Sequence, residues 1–288
     1  MTSPLFIVDA FSSRVFAGNP AAVCLLPAAE AHDCVQSDAV LQAIAAEMNL
    51  SETAFLQPRA DGSWGLRWFT PQVEVDLCGH ATLASAHVLW AEIGILKDTL
   101  VFHTRSGVLS ARRTGVGIEL DFPAVRCLAQ PLTASWQQAL ATALNLDVAD
   151  WVAHPPRQAG PDWLLPLSGP EALATLVPHW GSLAQLPIRG LIATAAGCPD
   201  GVHGMDPVDF SSRFFAPAVG INEDPVTGSA HCALACYWGE RLGKTRLRGY
   251  QASARGGYVG VEWDGDRVRL QGQAVTVVAG QLREWQMR

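Results

Sequence analysis

The sequence predicts an α+β protein of two pseudo-symmetric domains, each a strand-rich, barrel-like sheet around a central helix. Three observations support this fold class. The chain of 288 residues is 49% hydrophobic, enough to form the cores of two domains of about 140 residues. Similar segments recur at a spacing of about 150 residues, which is too long for a solenoid repeat. Each repeat alternates strand-like segments with one Ala-rich helix.

The repeat starts before each helix and continues into the hairpin that follows it. Its segments pair as Trp68-Phe69-Thr70-Pro71 with Phe214-Phe215-Ala216-Pro217, Arg105-Ser106-Gly107 with Arg255-Gly256-Gly257, and the turn Thr114-Gly115 with Asp264-Gly265. The helices are expected at 79–90 and 228–238. Both open on small residues and close on an aromatic residue, which indicates tight packing on most sides.

The remaining periodic segments are assigned in chain order. Strands are expected near 4–11, 21–26, 53–57, 65–70 and 208–215, and a helix over 38–48. The domains are predicted as 1–124 and 125–288, with terminal strands free to cross between the halves. The stretch 147–162 contains Pro155, Pro156, Gly160 and Pro161 and no periodicity, so we expect a surface connection there.

Charge and hydropathy exclude several classes of partner. The net charge is −7, which gives no basic face for a nucleic acid or an anionic membrane. A stretch of about 18 apolar residues is missing, as is a cationic leader, so we expect a cytoplasmic location and no membrane partner. Seven scattered cysteines indicate reduced thiols. Two lysines, Lys97 and Lys244, both follow a glycine near a helix end, which makes a Schiff-base cofactor site improbable.

Both repeated helices begin at a glycine directly after a polar segment. Gly79 follows Asp76-Leu77-Cys78, and Gly228 follows Glu223-Asp224-Pro225-Val226-Thr227. If the halves face each other across a cleft, the free amides of two helix starts form an anion site, and a small carboxylate is the expected ligand. The simpler interpretation is that Asp76, Thr227 and Ser229 only cap their helices.

Four strings, in order along nearly the whole chain, resemble the PhzF-like family of phenazine-biosynthesis isomerases. They are Gly18-Asn19-Pro20-Ala21-Ala22-Val23, Met48-Asn49-Leu50-Ser51-Glu52-Thr53-Ala54-Phe55, Cys78-Gly79-His80-Ala81-Thr82 and Glu223-Asp224-Pro225-Val226-Thr227-Gly228-Ser229-Ala230. The resemblance implies the diaminopimelate-epimerase fold, which agrees with the duplication. It also implies a homodimer and an isomerase that needs no cofactor and no metal.

The resemblance also assigns roles to residues. Glu52 matches the glutamate that moves protons in the family, and His80 and Asp224 would be further catalytic groups. Asn19, Gly79, Gly228 and Ser229 are the expected substrate-binding residues. A carboxyl in a closed apolar site has its charged form disfavoured, which would raise the pKa of Glu52 towards neutrality.

Two alternatives remain open. One is an amino-acid epimerase or racemase that uses Cys78 or His80 opposite Asp224 or Glu52. Related racemases have a cysteine at each helix start, but the second half reads Pro225-Val226-Thr227, so the opposing thiol is missing and Cys78 is interpreted as a packing residue. The other alternative is a small-molecule binding protein that has lost the reaction.

Overall fold

The computed structural model describes residues 3–28, 37–148, 154–200 and 207–283. Strands and helices alternate along these ranges. The strands are β1 (Ser3–Ala10), β2 (Asn19–Leu25), β3 (Glu52–Pro58), β4 (Trp64–Phe69), β5 (Glu74–Val75), β6 (Thr99–Thr104), β7 (Gly107–Thr114), β8 (Gly117–Pro123), β9 (Cys127–Ala129), β10 (Arg157–Ala159), β11 (Asp162–Pro166), β12 (Leu191–Ala196), β13 (Phe210–Ala216), β14 (Ile221–Asp224), β15 (Arg246–Gln251), β16 (Gly257–Asp264), β17 (Arg267–Gly272) and β18 (Ala274–Leu282). The α-helices are α1 (Asp38–Met48), α2 (Gly79–His87), α3 (Ala134–Leu144), α4 (Pro170–Ala174), α5 (Trp180–Leu183) and α6 (Gly228–Leu242).

The chain forms two compact units. Unit 1 comprises Met1–Phe122 and Gln271–Arg288, and unit 2 comprises Pro123–Leu270. The first break lies two residues before the domain end predicted at 124. The C-terminal segment 271–288, predicted in the second domain with terminal strands free to cross, belongs to unit 1. The reason is that β18 forms an antiparallel ladder with β1 over its length, so the end of the chain completes the sheet of unit 1.

The sheet of unit 1 surrounds an apolar helix. Its strands lie in the order β18, β1, β2, β3, β4, β6, β7 and β8, with parallel pairing only between β2 and β3 and between β4 and β6 among these neighbours. Helix α2 packs against β1, β2, β3, β7 and β18. Small side chains allow this close approach, and every residue from His80 to Ala86 is buried. The helix continues as a π-helical turn over Val88–Glu92.

Helix α1 covers another part of this sheet and sets the chain direction into β3. Its buried residues Val40, Leu41, Ile44 and Ala45 form one face. They pack with Phe55 and Phe69, whose rings meet edge to face with centroids 5.5 Å apart. Asn49 ends the helix in the left-handed conformation, with φ of 50°, so that the chain turns directly into β3.

Unit 2 repeats the pairing pattern of unit 1. Its strands follow the order β9, β10, β11, β12, β13, β15 and β16, with parallel pairing between β11 and β12 and between β13 and β15. Helix α6 packs against β9, β15 and β16 and is buried from Ala230 to Gly239. Helices α3, α4 and α5 belong to a second core of this unit, which includes Leu140, Leu173 and Leu183. Each unit thus has the same order of parallel and antiparallel strand pairs and one central helix, which confirms the predicted fold class.

Most predicted elements are present within one or two residues of their expected ends, but one segment was predicted wrongly. Within 147–162, β10 and the start of β11 are strands, and 149–153 lies outside the described residues. Three residues are too few to show periodicity, and β10 forms because β9 and β11 pair with it on both sides. In the described ranges, the helices all fall short of the length and apolar character needed to span a bilayer.

Candidate active site

Glu52 opens strand β3, directly after the turn that ends α1. Its backbone pairs with Ala21 of the parallel strand β2, which fixes the direction of the side chain. The side chain is 13% exposed, and its Oε2 lies 3.2 Å from Nε2 of His80. The residue predicted to move protons is therefore a nearly buried carboxylate in contact with an imidazole, both in unit 1.

His80 is the second residue of α2 and is buried within unit 1. Its Nδ1 lies 3.1 Å from Nδ2 of Asn19, and its Nε2 faces Glu52. Burial lowers the pKa of His80 to about 3, because a charged imidazole loses its hydration in the core. The ring is therefore neutral at physiological pH, with one nitrogen carrying hydrogen and the other accepting.

Asn19 lies at the start of β2 and is fully buried. The residue before it must be glycine. Gly18 has φ of +69°, and a Cβ there would lie 2.2 Å from the carbonyl oxygen of Ala10. The preceding loop is held by Asp9, whose Oδ2 accepts the backbone N–H of Phe16 at 2.6 Å. The left-handed conformation of Gly18 and the loop held by Asp9 thus place the Asn19 amide next to His80.

Cys78 also reaches His80. It is the N-cap residue of α2, and its Sγ lies 3.5 Å from Nδ1 of the imidazole. The sequence interpretation of Cys78 as a packing residue therefore missed a contact with the site. Sequence spacing gave no signal for this contact, because residues two positions apart do not face each other within a helix, and Cys78 reaches the ring from the extended backbone of the N-cap.

Three residues of this group have the chemistry of metal ligands. One ligand atom each of Glu52, Cys78 and His80 lies within 4.8 Å of the others. However, the thiol faces Nδ1 of the ring, whereas the carboxylate faces Nε2. A single metal ion would have to bind one imidazole nitrogen together with both other ligands, so the geometry suits polar contacts at both ring nitrogens better than ligation of one ion.

The second helix start, in unit 2, holds the other predicted residues. Asp224 ends β14 with 7% exposure, and its Oδ2 accepts the hydroxyl hydrogen of Thr227. Gly228 is buried as the first residue of α6, and Ser229 is exposed as the second. Asp224 therefore lies in the loop that leads into Gly228 and is bonded to the hydroxyl of Thr227, the residue before that glycine.

Gln251 and Ser253 hold the loop before α6 and were not found from the sequence. Gln251 is fully buried, accepts the backbone N–H of Thr227 at 2.8 Å, and donates to the carbonyl oxygen of Asp224 at 2.7 Å. Ser253 donates to the carbonyl oxygen of Pro225 at 2.8 Å. The sequence gives no signal for either residue, because the burial of Gln251 and the partners of both are set by the fold.

The structure brings Asn19, Glu52 and His80 into direct contact and places Gly79 beside His80 at the start of α2. It places Asp224, Gly228 and Ser229 at the start of α6. The catalytic and substrate-binding roles assigned to these seven residues stay predictions.

Comparison with known proteins identifies the family. Residues 8–280 match the family model described as phenazine biosynthesis-like protein. The chain belongs to this family. An uncharacterised isomerase of Halalkalibacterium halodurans is 45% identical over 286 residues, covering 98% of this chain and 99% of the relative. The likeness confirms the resemblance seen in the four sequence strings and the prediction of an isomerase.

Solved structures of the phenazine biosynthesis-like family agree in fold. A crystal structure of a PhzF-family protein from Enterococcus faecalis has a TM-score of 0.85 and 40% sequence identity, covering 99% of this chain and all of that chain. A predicted epimerase from Pseudomonas aeruginosa has a TM-score of 0.72 and 25% identity, covering 98% of this chain and all of that chain. The chain is thus similar both to a relative named as an isomerase and to a solved structure named as a predicted epimerase.

Proposed function

We propose that the protein is an isomerase that shifts a proton and a double bond in a small carboxylate-bearing metabolite, with Glu52 as general acid and base. The observation that carries the proposal is the contact of the Glu52 carboxylate with the buried, neutral His80. A base must keep a fixed direction to take a proton from one carbon and return it to another. Glu52 has such a direction, because it is the first residue of β3 and its carboxylate contacts the imidazole of His80.

The same proposal keeps the predicted roles of the second helix start. Asp224 would be a further proton-handling group, and the backbone at Gly228 and Ser229 would bind the substrate carboxylate, as Gly79 would at the start of α2. Asp224 is held in a fixed place for that role, since its side chain accepts from the Thr227 hydroxyl and its carbonyl oxygen accepts from Gln251. The side chains described here supply acid–base chemistry, so we propose a reaction that needs no added cofactor.

Replacing Glu52 by Gln tests the central role. We expect loss of turnover by at least about 100-fold, because the amide cannot carry the transferred proton. The assay incubates small unsaturated and hydroxylated carboxylic acids with the protein in deuterium oxide and follows deuterium on carbon by mass spectrometry. Glu47→Gln is the matched control, since Glu47 is an exposed residue of α1 five positions away. Wild-type deuterium incorporation by the Glu52→Gln variant would refute the assignment.

An amino-acid epimerase is the second candidate, favoured by the contact between Cys78 and His80 and by the similarity to a predicted epimerase. The two functions differ in where deuterium appears. An epimerase would label the α-carbon of an amino acid with inversion, and Cys78→Ser would lower that rate. The isomerase would instead label a carbon at one end of the shifted double bond and would depend on Glu52.

A further inference from the structure

The atoms around His80 decide which of its ring nitrogens carries hydrogen. Nδ2 of Asn19, as the amide is oriented in the structure, lies 3.1 Å from Nδ1. An amide nitrogen has two hydrogens and no lone pair to offer, so it can only donate. The Cys78 thiol, 3.5 Å away, reaches the same ring nitrogen and is also able to donate. Nδ1 is therefore the accepting nitrogen of the neutral ring.

The hydrogen of the ring then lies on Nε2, which faces the carboxylate. Nε2 and Oε2 of Glu52 are 3.2 Å apart, close enough for a ring N–H to be attracted to the carboxylate, although the two atoms are not aligned as a hydrogen bond in the structure. With the opposite tautomer, a lone pair of Nε2 would face the negative oxygen, and the contact would be repulsive. One amide on the far side of the ring thus controls whether His80 attracts Glu52 or repels it.

We propose that Asn19 is a positioning residue that holds His80 in the tautomer with hydrogen on Nε2, so that the ring N–H attracts Oε2 of Glu52 and Oε1 carries the transferred proton. The proposal rests on the function proposed for Glu52. In the reaction, a C–H hydrogen would move as a proton to Oε1 while its electron pair enters the shifting double bond. Between the two transfers the proton on Oε1 exchanges with solvent, Oε1 then protonates the other carbon, and His80 keeps its hydrogen throughout.

The position of Asn19 in the structure fits such a role. Its side chain is fully buried, and its backbone belongs to a strand. A strand holds the amide at a constant distance from the ring better than a deformable loop would. Pairing of β2 with β1 on one side and β3 on the other fixes its backbone. Glu52 starts the strand that pairs with β2, so the amide and the carboxylate stand on neighbouring strands with the imidazole between them.

Nitrogen-15 NMR of the ring reads the tautomer directly in the resting protein, without any substrate. We expect an unprotonated Nδ1 and a protonated Nε2 for His80, with its signals assigned by their absence in His80→Gln. A wild-type protein whose His80 carries hydrogen on Nδ1 would overturn the proposal. This measurement does not depend on the folding of an Asn19 variant or on the identity of the substrate.

Asn19→Asp changes the donor into an acceptor at almost constant shape. We expect hydrogen to appear on Nδ1, alone or together with Nε2, and turnover of an identified substrate to fall about 10- to 100-fold. Asn145→Asp, at the end of α3, is the control for an Asn-to-Asp change elsewhere. Cys78→Ser keeps a donor beside Nδ1 and should keep the wild-type tautomer.

The outcomes separate the two proposals. If Asn19→Asp alters neither the ring signals nor turnover, the positioning role is wrong. If the ring signals are as expected but Glu52→Gln retains full activity, the tautomer stands and the function assigned to Glu52 fails. If Asn19→Asp lowers turnover with unchanged ring signals, Asn19 acts by another route and the proposal is overturned.

Discussion

The starts of α2 and α6 share a supporting framework but differ in the side chains that they present. Before α2, Arg67 donates from Nε and Nη2 to both oxygens of Glu74, and before α6, Arg213 does the same to Glu223. Each guanidinium also lies over the ring of the phenylalanine two residues later, at 5.0 Å in unit 1 and 4.9 Å in unit 2.

Two further supports repeat. Ser106 donates to the carbonyl oxygen of Asp76, and Ser253 donates to that of Pro225, each three residues before the first helical glycine. Inside the helices, the side chains of Thr82 and His231 bond to the carbonyl oxygens of Cys78 and Thr227, one turn back. The duplicated parts therefore hold the loop and the helix start in place.

The two helix starts differ in the side chains that could take part in a reaction. The first has a thiol, an imidazole and a neighbouring carboxylate, and the second has Asp224, Thr227 and Ser229. Supports must fit a fixed backbone and so tolerate little change, whereas residues that face a ligand change with the reaction. Changes at the supports should therefore alter stability, whereas changes at the side chains that differ should alter turnover.

The largest effect is expected from breaking the two Arg–Glu pairs. Arg213→Met should lower the free energy of unfolding by about 3–5 kcal/mol, because Glu223 is left nearly buried without its partner. Arg213 also donates to the carbonyl oxygens of Leu173 and Leu176, which lose that bond. Denaturant unfolding curves measure the change.

Arg67→Met should cost about half as much, since Arg105 still pairs with Glu74. The pKa of Glu74, which Arg67 and Arg105 together hold below its ordinary value, should rise only part of the way. Equal losses of stability for Arg67→Met and Arg213→Met would show that the two supports are energetically alike and would contradict the expected difference.

The pH dependence of stability should expose the buried imidazoles. Burial lowers the pKa of His231 to about 4. The hydrogen bond from the His231 ring to the carbonyl oxygen of Thr227 raises this pKa, but by less than burial lowers it. Because the folded state prefers the neutral ring, this contribution is complete above the unfolded pKa near 6.5 and is lost as the pH falls from there towards 4. The slope should reach about 1.4 kcal/mol per pH unit for each such histidine.

His231→Thr places in α6 the residue found at the matching position of α2. This variant should lose the His231 share of the slope between pH 6.5 and 4, while its smaller side chain lowers stability at all pH values. Unfolding curves at several pH values give both quantities. An unchanged slope would mean that His231 does not titrate in this range.

Helix and strand positions were predicted from the sequence better than the hydrogen bonds between distant residues. Helix α1 and the start of α2 were placed correctly because apolar spacing and small residues are local signals. The match of Arg105-Ser106-Gly107 with Arg255-Gly256-Gly257 agrees with the structure, because Gly107 and Gly257 open β7 and β16. The serine that supports the loop was not matched, since it is Ser106 in one unit and Ser253 in the other. Hydrogen-bond partners far apart in the chain leave no pattern that spacing can show.

The site was predicted in part for the same reason. Glu52, His80 and Asn19 were each chosen from separate strings, and only pairing of β2 with β3 brings them together. Gln251 was missed because its role depends on a loop 24 residues earlier in the chain. The terminal strand was left free to cross between the halves, because the sequence does not state which sheet it joins, and pairing of β18 with β1 decides it.

The smallest effect is expected from the two serine supports, and it should again differ between the units. Ser253→Ala should cost about 1–2 kcal/mol, because Ser253 is partly buried and also accepts the N–H of Gly256 at 3.1 Å. Ser106→Ala should cost below about 1 kcal/mol, because its bond to Asp76 lies in an exposed region where water replaces it. Thermal unfolding of both variants beside the wild type measures the pair. If Ser106→Ala proved the more damaging change, exposure would not be the factor that sets the strength of these hydrogen bonds. The loop before α2 would then depend on its serine more than the loop before α6 does, because Gln251 also holds the loop before α6.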